Sequence, residues 1–400
     1  QGSAHSRPLR RLWRTAGAWW PAAAFAPAAV LTAMTLIEMP PGQDLTDALV
    51  ERVLAAANAG TPLRIVGGDT KRFYGRPVAG ETLAVAGHHG VVHYDPAELV
   101  ITARGGTLLA DIEALLARHG QRLPFEPPSF GSVATLGGTV AAGIAGPARV
   151  ARGPVRDYVL GARLLTGDGR VLKFGGEVMK NVAGYDVSRL LAGSLGILGV
   201  LLDVSLKVLP VARSTRTFRR HIAAQGAIDL LGAAAQRGLP LTGSFWSTGE
   251  LYLRLEGSPS GLDELVPTIG GDPLDESAAA SLWQSVREQT HAYFTAAHPL
   301  WRLSLPATTA GAALVRADRI AFEWNGAQAW VTGVERETID LITRAAGGHA
   351  TLFRRDDAEN SVTGDVFAPL PTPLLDLHRA VKRVFDPAGI LNPGRMYADL

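Results

Sequence analysis

The sequence predicts an α+β fold, and three observations carry that prediction. Short apolar runs of strand-like composition alternate with stripes of helical period from Thr35 onward. A glycine-dense stretch from Pro127 to Val200 interrupts the alternation, and after Pro210 the composition changes and a second alternating set begins. At 400 residues the chain is long enough for two or three domains with a sizeable core.

The segment through Ala33 is rich in Arg, Trp, Ala and Pro and shows no pattern that continues into the rest. Arg10-Arg11 ahead of the apolar run Ala16–Ala33 loosely resembles a twin-arginine signal, but Trp13-Arg14 and the prolines fit it badly. Pro21 and Pro27 also break the run before it is long enough to span a membrane. The favoured reading is an appended or over-read leader, with the natural start at Met34.

Asp44–Asn58 sets Leu45, Leu49, Val53, Leu54 and Ala57 near one helical face, with Gly60 just past its end. Leu63–Val66 reads as a short buried strand that empties into Gly67-Gly68-Asp69-Thr70-Lys71. Such a turn leaves N–H groups free to converge on phosphate oxygens, with Lys71 as counter-charge, although an ordinary tight turn looks the same. Thr82–Val85 and Leu99–Arg104 read as strands, and Thr107 as the cap of a helix over Leu108–His119 that Gly120 ends. His88, His89 and His93 have no carboxylate or cysteine at ligand spacing, so they read as solvated turn residues and no metal is expected.

Glycine at the density found between Pro127 and Val200 removes side chains where the backbone must press against something else, so amides can face an anion or a flat ring. Within it, Leu160–Leu165 and Val171–Phe174 flank the hairpin signal Thr166-Gly167-Asp168-Gly169. Val187–Ala192 reads as a short helix and Val200–Val208 as a strand. No G-x-G-x-x-G follows a strand and no G-K-[ST] exists, which removes the Rossmann and P-loop readings. Ala192–Gly196 approaches the hydrolase elbow, but alanine stands for its first glycine and a helix precedes it. These residues alone imply a large anionic cofactor held by backbone.

Composition excludes several functions. Charges nearly cancel, 39 Lys+Arg against 37 Asp+Glu, and no basic stripe carrying interleaved aromatics appears after the first few residues, so no nucleic-acid partner is expected. The chain has no cysteine, which excludes disulfides, thiolate zinc sites, cysteine nucleophiles and iron–sulfur clusters on it.

Past Pro210, the runs Phe218–Ile222, Gly226–Gly238, Leu251–Leu255, Ala278–His291, Leu303–Pro306, Ala310–Val315, Ala329–Val334 and Glu335–Ala346 alternate between strand-like and helix-like patterns. They predict a small α+β cap over one face of the first domain. Arg302 alternates with Trp301 and Leu303, so it either points into a cavity, where it would pair bidentately with a carboxylate, or snorkels at an edge. Gly348–Arg354 then reads as a strand, Pro373–Phe385 as a helix and Asp386–Arg395 as a closing loop.

The turn Gly67–Lys71, then Pro127-Pro128 and Thr135-Leu136-Gly137-Gly138, then Gly193–Val200 fall in an order that resembles the FAD-binding domain of the vanillyl-alcohol-oxidase, or PCMH-type, flavoenzymes. PFEPPSFG, GGEVMKNVAGYDVSRLLAGSLGILGV and FDPAGILNPGRMY are similar to the FAD-binding subunits of bacterial glycolate oxidases, from Met34 to Tyr397. The resemblance implies a two-subdomain FAD-binding domain over 34–212, a smaller ferredoxin-like cap over 213–346, and a C-terminal segment, 347–400, that returns to the flavin domain. Residues 1–33 stand outside it.

It also implies that Gly67, Gly68, Asp69, Thr70 and Lys71 wrap the FAD pyrophosphate. Pro127, Ser132, Thr135, Gly137, Gly138 and Gly143 complete the cradle, and Gly196, Gly199 and Val200 line the adenosine side. Asn392 and Arg395 return near the flavin. Lys180, Asn181, Tyr185 and Asp186 form the most polar cluster of the central run, placed either to orient the isoalloxazine, with Asn181 as an FAD contact, or to shape the surface that meets a partner; Asp186 equally suits the cap of the following helix. The turn Gly67–Gly75 and the run Pro127–Gly146 hold no histidine or cysteine, so the FAD is expected to be non-covalent.

Related D-2-hydroxy-acid dehydrogenases carry a G-D-G-N-x-H motif and a second Glu/His motif, and neither is present here. No general base stands out. The expectation is therefore a flavoprotein subunit that relays electrons from glycolate oxidation, with a second FAD-containing subunit and an iron–sulfur subunit as partners. It would be cytoplasmic, with attachment to the inner face of the membrane through those partners as a variant. The alternatives are a self-sufficient dehydrogenase of small 2-hydroxy acids, with Arg302 on the carboxylate, and a scaffold whose FAD is structural.

Overall fold

The computed structural model describes residues 42–176, 186–295, 299–307, 319–355 and 365–400. The leader 1–33, the cluster residues Lys180, Asn181 and Tyr185, and the run Ala310–Val315 lie outside the described residues. Met39–Leu400 forms one compact unit.

The first part of the chain is built on two sheets, with the short antiparallel pair Gln121–Arg122 and Leu209–Pro210 as a third. Leu63–Val66 and Glu81–Ala84 pair in parallel. Helix Thr46–Ala59 buries Leu49, Val53 and Ala56 with them. Gly60 ends that helix at φ 65°, donating to the carbonyls of Ala56 and Ala57, as the sequence predicts. The second sheet runs Val91–Asp95, Val100–Arg104, Val200–Lys207, Val159–Leu165, Val171–Gly175, every pair antiparallel. The predicted hairpin around Gly167 forms its last pair.

Two local expectations fail, for the same reason. Thr107 does not cap the helix Leu109–Arg118; its buried hydroxyl accepts from Gly90 N at 2.9 Å and donates to Gly90 O at 3.2 Å. His88 is 1% exposed rather than solvated, and its Nδ1 accepts from Leu45 N at 3.0 Å. In both cases a backbone group distant in sequence claims a side chain that local pattern had assigned elsewhere. Asp186 does cap the helix Val187–Leu190, accepting from Arg189 N.

The second part is one antiparallel sheet of eight strands, in the order Asp272–Pro273, Ser214–His221, Glu250–Gly257, Leu241–Ser247, Ile320–Glu323, Gln328–Thr332, Leu300–Ser304, His349–Arg354. The strand His349–Arg354, read from sequence as the start of the returning segment, is thus the outer strand of the cap sheet. Period-2 alternation splits this sheet into two unlike faces. Trp246, Leu251, Leu253, Trp301, Leu303, Phe322 and Val331 form one core with helices Ala224–Gln236 and Arg336–Ala345. Phe245, Leu300, Trp330 and Phe353 face the other way and pack with Tyr74, Ala142, Ile144 and Leu195 of the first part. Phe245 and Phe353 are fully buried, and truncating either to Ala costs about 3–5 kcal/mol. That shared core sets the position of the cap.

Candidate functional site

A cleft of about 710 Å³ opens where the first glycine turn, the helix after Thr135, the segment around Leu195–Leu201 and the C-terminal loop converge. Strand Leu63–Val66 delivers the turn. Among the described residues, the amides of Gly67, Gly68, Asp69, Thr70 and Lys71 find no acceptor in the protein. Asp69 sits at φ 54°, a left-handed conformation that lets successive N–H groups point to one side and make an anion nest.

The glycines of the turn have a second reason to be glycine. A Cβ on Gly67 would overlap the Thr135 hydroxyl, and one on Gly68 the Val133 carbonyl oxygen. The first turn is therefore seated directly on the second loop. Thr135 is the N-cap of Leu136–Ala142, its oxygen accepting from Gly138 N at 3.3 Å. Gly137 N donates to Gly105 O at 2.8 Å. The amides of Gly137 and Gly138 are thus spent inside the protein, and the free donors come from the first turn.

Asn392 closes the floor. Its Oδ1 accepts from Ile65 N and its Nδ2 donates to Leu195 O, both at 2.8 Å, and it is 6% exposed. Gly196 holds φ 74°, and a Cβ there would come within 2.7 Å of that Nδ2. Lys382 supports the loop from below, donating to Ile197 O and Leu391 O at 3.0 Å and pairing with Asp386 at 2.8 Å.

The cleft wall is strongly positive. Arg64, Lys71, Arg72, Arg355 and Arg395 line it against one carboxylate, Asp69. Arg64 pairs with Asp69 at 3.2 Å. Arg395 donates to the carbonyls of Arg76, Lys71 and Arg72, tying the C-terminal loop round the turn. Burial brings its pKa down to about 10 despite Asp69, with Arg355, Arg64 and Arg72 pushing the same way. Burial likewise holds Lys71 down to about 8, against the charge of Glu288.

Of the residues singled out in sequence, Gly67, Gly68, Asp69, Thr70, Lys71, Thr135, Gly137, Gly138, Gly196, Gly199, Val200, Asn392 and Arg395 all line this cleft. Pro127, Ser132 and Gly143 do not. Gly143 ends the helix at φ 64° close against Gly193, a packing role. Asn181 lies outside the described residues. Sequence reading missed Arg64, Arg72 and Arg355; Arg64 stands between apolar Leu63 and Ile65 in its strand, which was the available signal.

Arg302 stands apart. It sits on the cap-sheet face that looks toward the first part and donates through Nη2 to the Tyr74 hydroxyl at 3.0 Å. It also lines a cavity of about 10 Å³ with Phe130, Gln289, Glu323, Gln328 and Trp330. Glu323 is 3% exposed; burial raises its pKa to about 7, outweighing hydrogen bonds from Trp330 Nε1 at 2.7 Å and Gln328 Nε2 at 3.3 Å. Among the described residues no three His, Cys, Asp or Glu side chains converge as metal ligands.

Residues 45–175 match the FAD binding domain family, and residues 371–396 the C-terminal domain of FAD linked oxidases. The glycolate oxidase subunit GlcE of Escherichia coli (strain K12) is 47% identical over 358 residues, covering 89% of this chain and 99% of that one. The chain belongs to the GlcE family of FAD-linked oxidases. A further relative, the glycolate oxidase subunit GlcD of Bacillus subtilis (strain 168), is 29% identical over 148 residues, 36% of this chain and 31% of its own length. The solved alkyldihydroxyacetonephosphate synthase shares the fold at TM-score 0.61 and 15% identity, covering 87% of this chain and 74% of that one.

FAD is the cofactor of this family, and the cleft fits it on its own terms. Consecutive unpartnered amides, a surplus of cations and glycines that leave the turn bare suit a diphosphate carrying two negative charges. Among the described residues no helix is long and apolar enough to cross a membrane.

Proposed function

We propose that this chain is the FAD-carrying subunit of a multi-subunit enzyme that oxidises glycolate, or a similar small 2-hydroxy acid, to the 2-oxo acid. The observation that carries the reading is the 47% identity to a glycolate oxidase subunit over nearly the whole of both chains. Bound FAD would supply the hydride acceptor. The chain's own residues supply the hold on it. The first turn, Gly67 to Lys71, donates to the diphosphate, Lys71 and Arg64 oppose its charge, and Asn392 keeps the floor rigid. Gly196, Gly199 and Val200 take the adenosine side.

Arg302 is the proposed anchor for the acid's carboxylate. The volume enclosed beside it is about 10 Å³, room for about one water, so access needs the surrounding rings to swing or the cap to lift. With no cysteine on the chain, an iron–sulfur centre in the electron path would belong to another subunit. A second flavin subunit is the other expected partner. A cytoplasmic location, with the complex at the inner face of the membrane, accompanies this reading.

One observation favours self-sufficient oxidation. Glu323 shares the cavity of Arg302 and holds a pKa near neutrality, as a general base must. An anaerobic visible spectrum of the isolated chain with glycolate separates the two. A flavin that stays yellow until partner subunits are added supports relay. One that bleaches in the chain alone supports self-sufficiency, and a protein that cannot take up FAD overturns both.

A further inference from the structure

Two guanidiniums on the flavin-facing side of the cap sheet have no acidic partner within ion-pair distance among the described residues. Arg302 makes a hydrogen bond to Tyr74, and among the described residues the Arg354 guanidinium makes none. Aromatic faces hold both instead. The Arg302 guanidinium carbon lies 5.5 Å from the ring centroids of Tyr74 and Phe353. That of Arg354 lies 5.0 Å from Phe73, 5.4 Å from Phe130 and 6.0 Å from Phe353. The two cations therefore share one ring, and Phe73 beneath Arg354 also lines the FAD cleft.

Arg354 reaches this side only through a bulge. Arg302 faces Thr351 and Trp301 faces Leu352, but Leu300 then faces Arg354, so the outer strand carries one extra residue at Phe353. Strict alternation would send Arg354 after Leu352 into the apolar core under the helices. The extra residue turns it to the side of Leu300 and Arg302, a use of bulges common beside binding sites. Nearby charge does not balance the pair: Glu323 lines the cavity of Arg302 without pairing with it, and burial favours its neutral form. Glu288 is committed to the amides of Ser129 and Phe130. The His349 ring is pushed towards its neutral form by burial and by the charge of Arg302. Half-buried cations without an acid are unfavourable until an anion completes them.

We propose that Arg302 and Arg354 together form a dianion site that takes a short-chain organic dicarboxylate. Arg302 holds the carboxylate beside the reacting carbon, as in the reading of Arg302 above on which this rests, and Arg354 holds the distal one. Both guanidinium carbons lie within 6.0 Å of the Phe353 ring centroid, which limits a ligand that meets both to a short diacid. Planar forks resting on aromatic faces are pre-oriented for bidentate pairing.

The test is isothermal titration of the FAD-loaded full chain with glycolate and with D-malate at one fixed pH and ionic strength. The parent binds malate about tenfold or more tighter than glycolate, the scale of one added charge-assisted contact. Arg354→Ala abolishes that preference and leaves glycolate affinity within about twofold, because the near carboxylate stays on Arg302. Arg354→Lys, which keeps the charge but not the fork, retains part of the preference and serves where the alanine variant does not fold. A parent without preference for malate, or an Arg354→Ala protein that keeps it, overturns the dianion site. Arg302→Ala with unchanged glycolate affinity instead overturns the anchor reading, whatever malate does.

Discussion

Arg302 Nη2 and the Tyr74 hydroxyl meet at 3.0 Å across the boundary between the cap sheet and the flavin domain. The contact fixes the fork of a residue that otherwise rests on the Tyr74 and Phe353 ring faces and makes no ion pair among the described residues. Tyr74→Phe removes the acceptor and keeps the ring. The expected outcome is a loss of about 3–10-fold in acid affinity with folding stability changed by less than about 1 kcal/mol, read by titration and denaturant melts. Equal affinity in the variant would sink the positioning role.

Asn392 joins Ile65 to Leu195 beneath the cleft. Asn392→Ala leaves a buried amide and a buried carbonyl unpaired, each at about 1–3 kcal/mol. We expect stability to fall by about 2–4 kcal/mol and FAD affinity by about tenfold or more. Asn392→Asp keeps the acceptor for Ile65 N alone and should fall between.

Lys71 makes FAD binding depend on pH. Burial keeps its pKa near 8 in the free cleft, and a diphosphate beside it would favour the charged form. Binding then takes up a proton above that value. Affinity is full below about pH 8 and falls by up to about tenfold per pH unit above it. Lys71→Met should flatten this slope in a fluorescence titration of FAD.

Glu256 locks the cap to the flavin domain. Its buried carboxylate accepts from Arg122 and Arg152 and lies 3.9 Å from Arg254, which itself pairs with Glu126 at 2.9 Å. Burial opposes its ionisation, but the hydrogen bond from Arg122 and the surrounding guanidiniums win and hold its pKa below the usual range. A depressed carboxylate stabilises the fold above its ordinary pKa and loses that contribution as pH falls through the lowered one. Glu256→Gln strands the guanidiniums and should cost about 3–5 kcal/mol at pH 7, with the deficit shrinking in acid.

Glu323 carries the opposite sign. The folded chain keeps a proton there that the unfolded chain releases, so its stabilising effect is full in acid and is lost as pH rises from 4.5 to about 7. Relative to the parent, Glu323→Gln should gain about 3 kcal/mol across that interval in chemical denaturation. A difference that does not vary with pH would show that Glu323 titrates normally.

Local chemistry was enough to find the strand Leu63–Val66, the glycine turn behind it and the hairpin at Gly167, because alternation, turn residues and bare backbone are written within a few residues. It was also enough to say that Arg302 and Trp301 take opposite faces. Which face meets the flavin domain was settled by long-range packing, since Tyr74 and Phe353 are distant in sequence from Arg302 and from each other. The fates of Thr107 and His88 were decided the same way, by backbone groups at Gly90 and Leu45 that no local window contains. Arg354 is the sharpest case. One extra residue in a strand reverses the side on which every following side chain lies, and that insertion exists only in the register against a neighbouring strand.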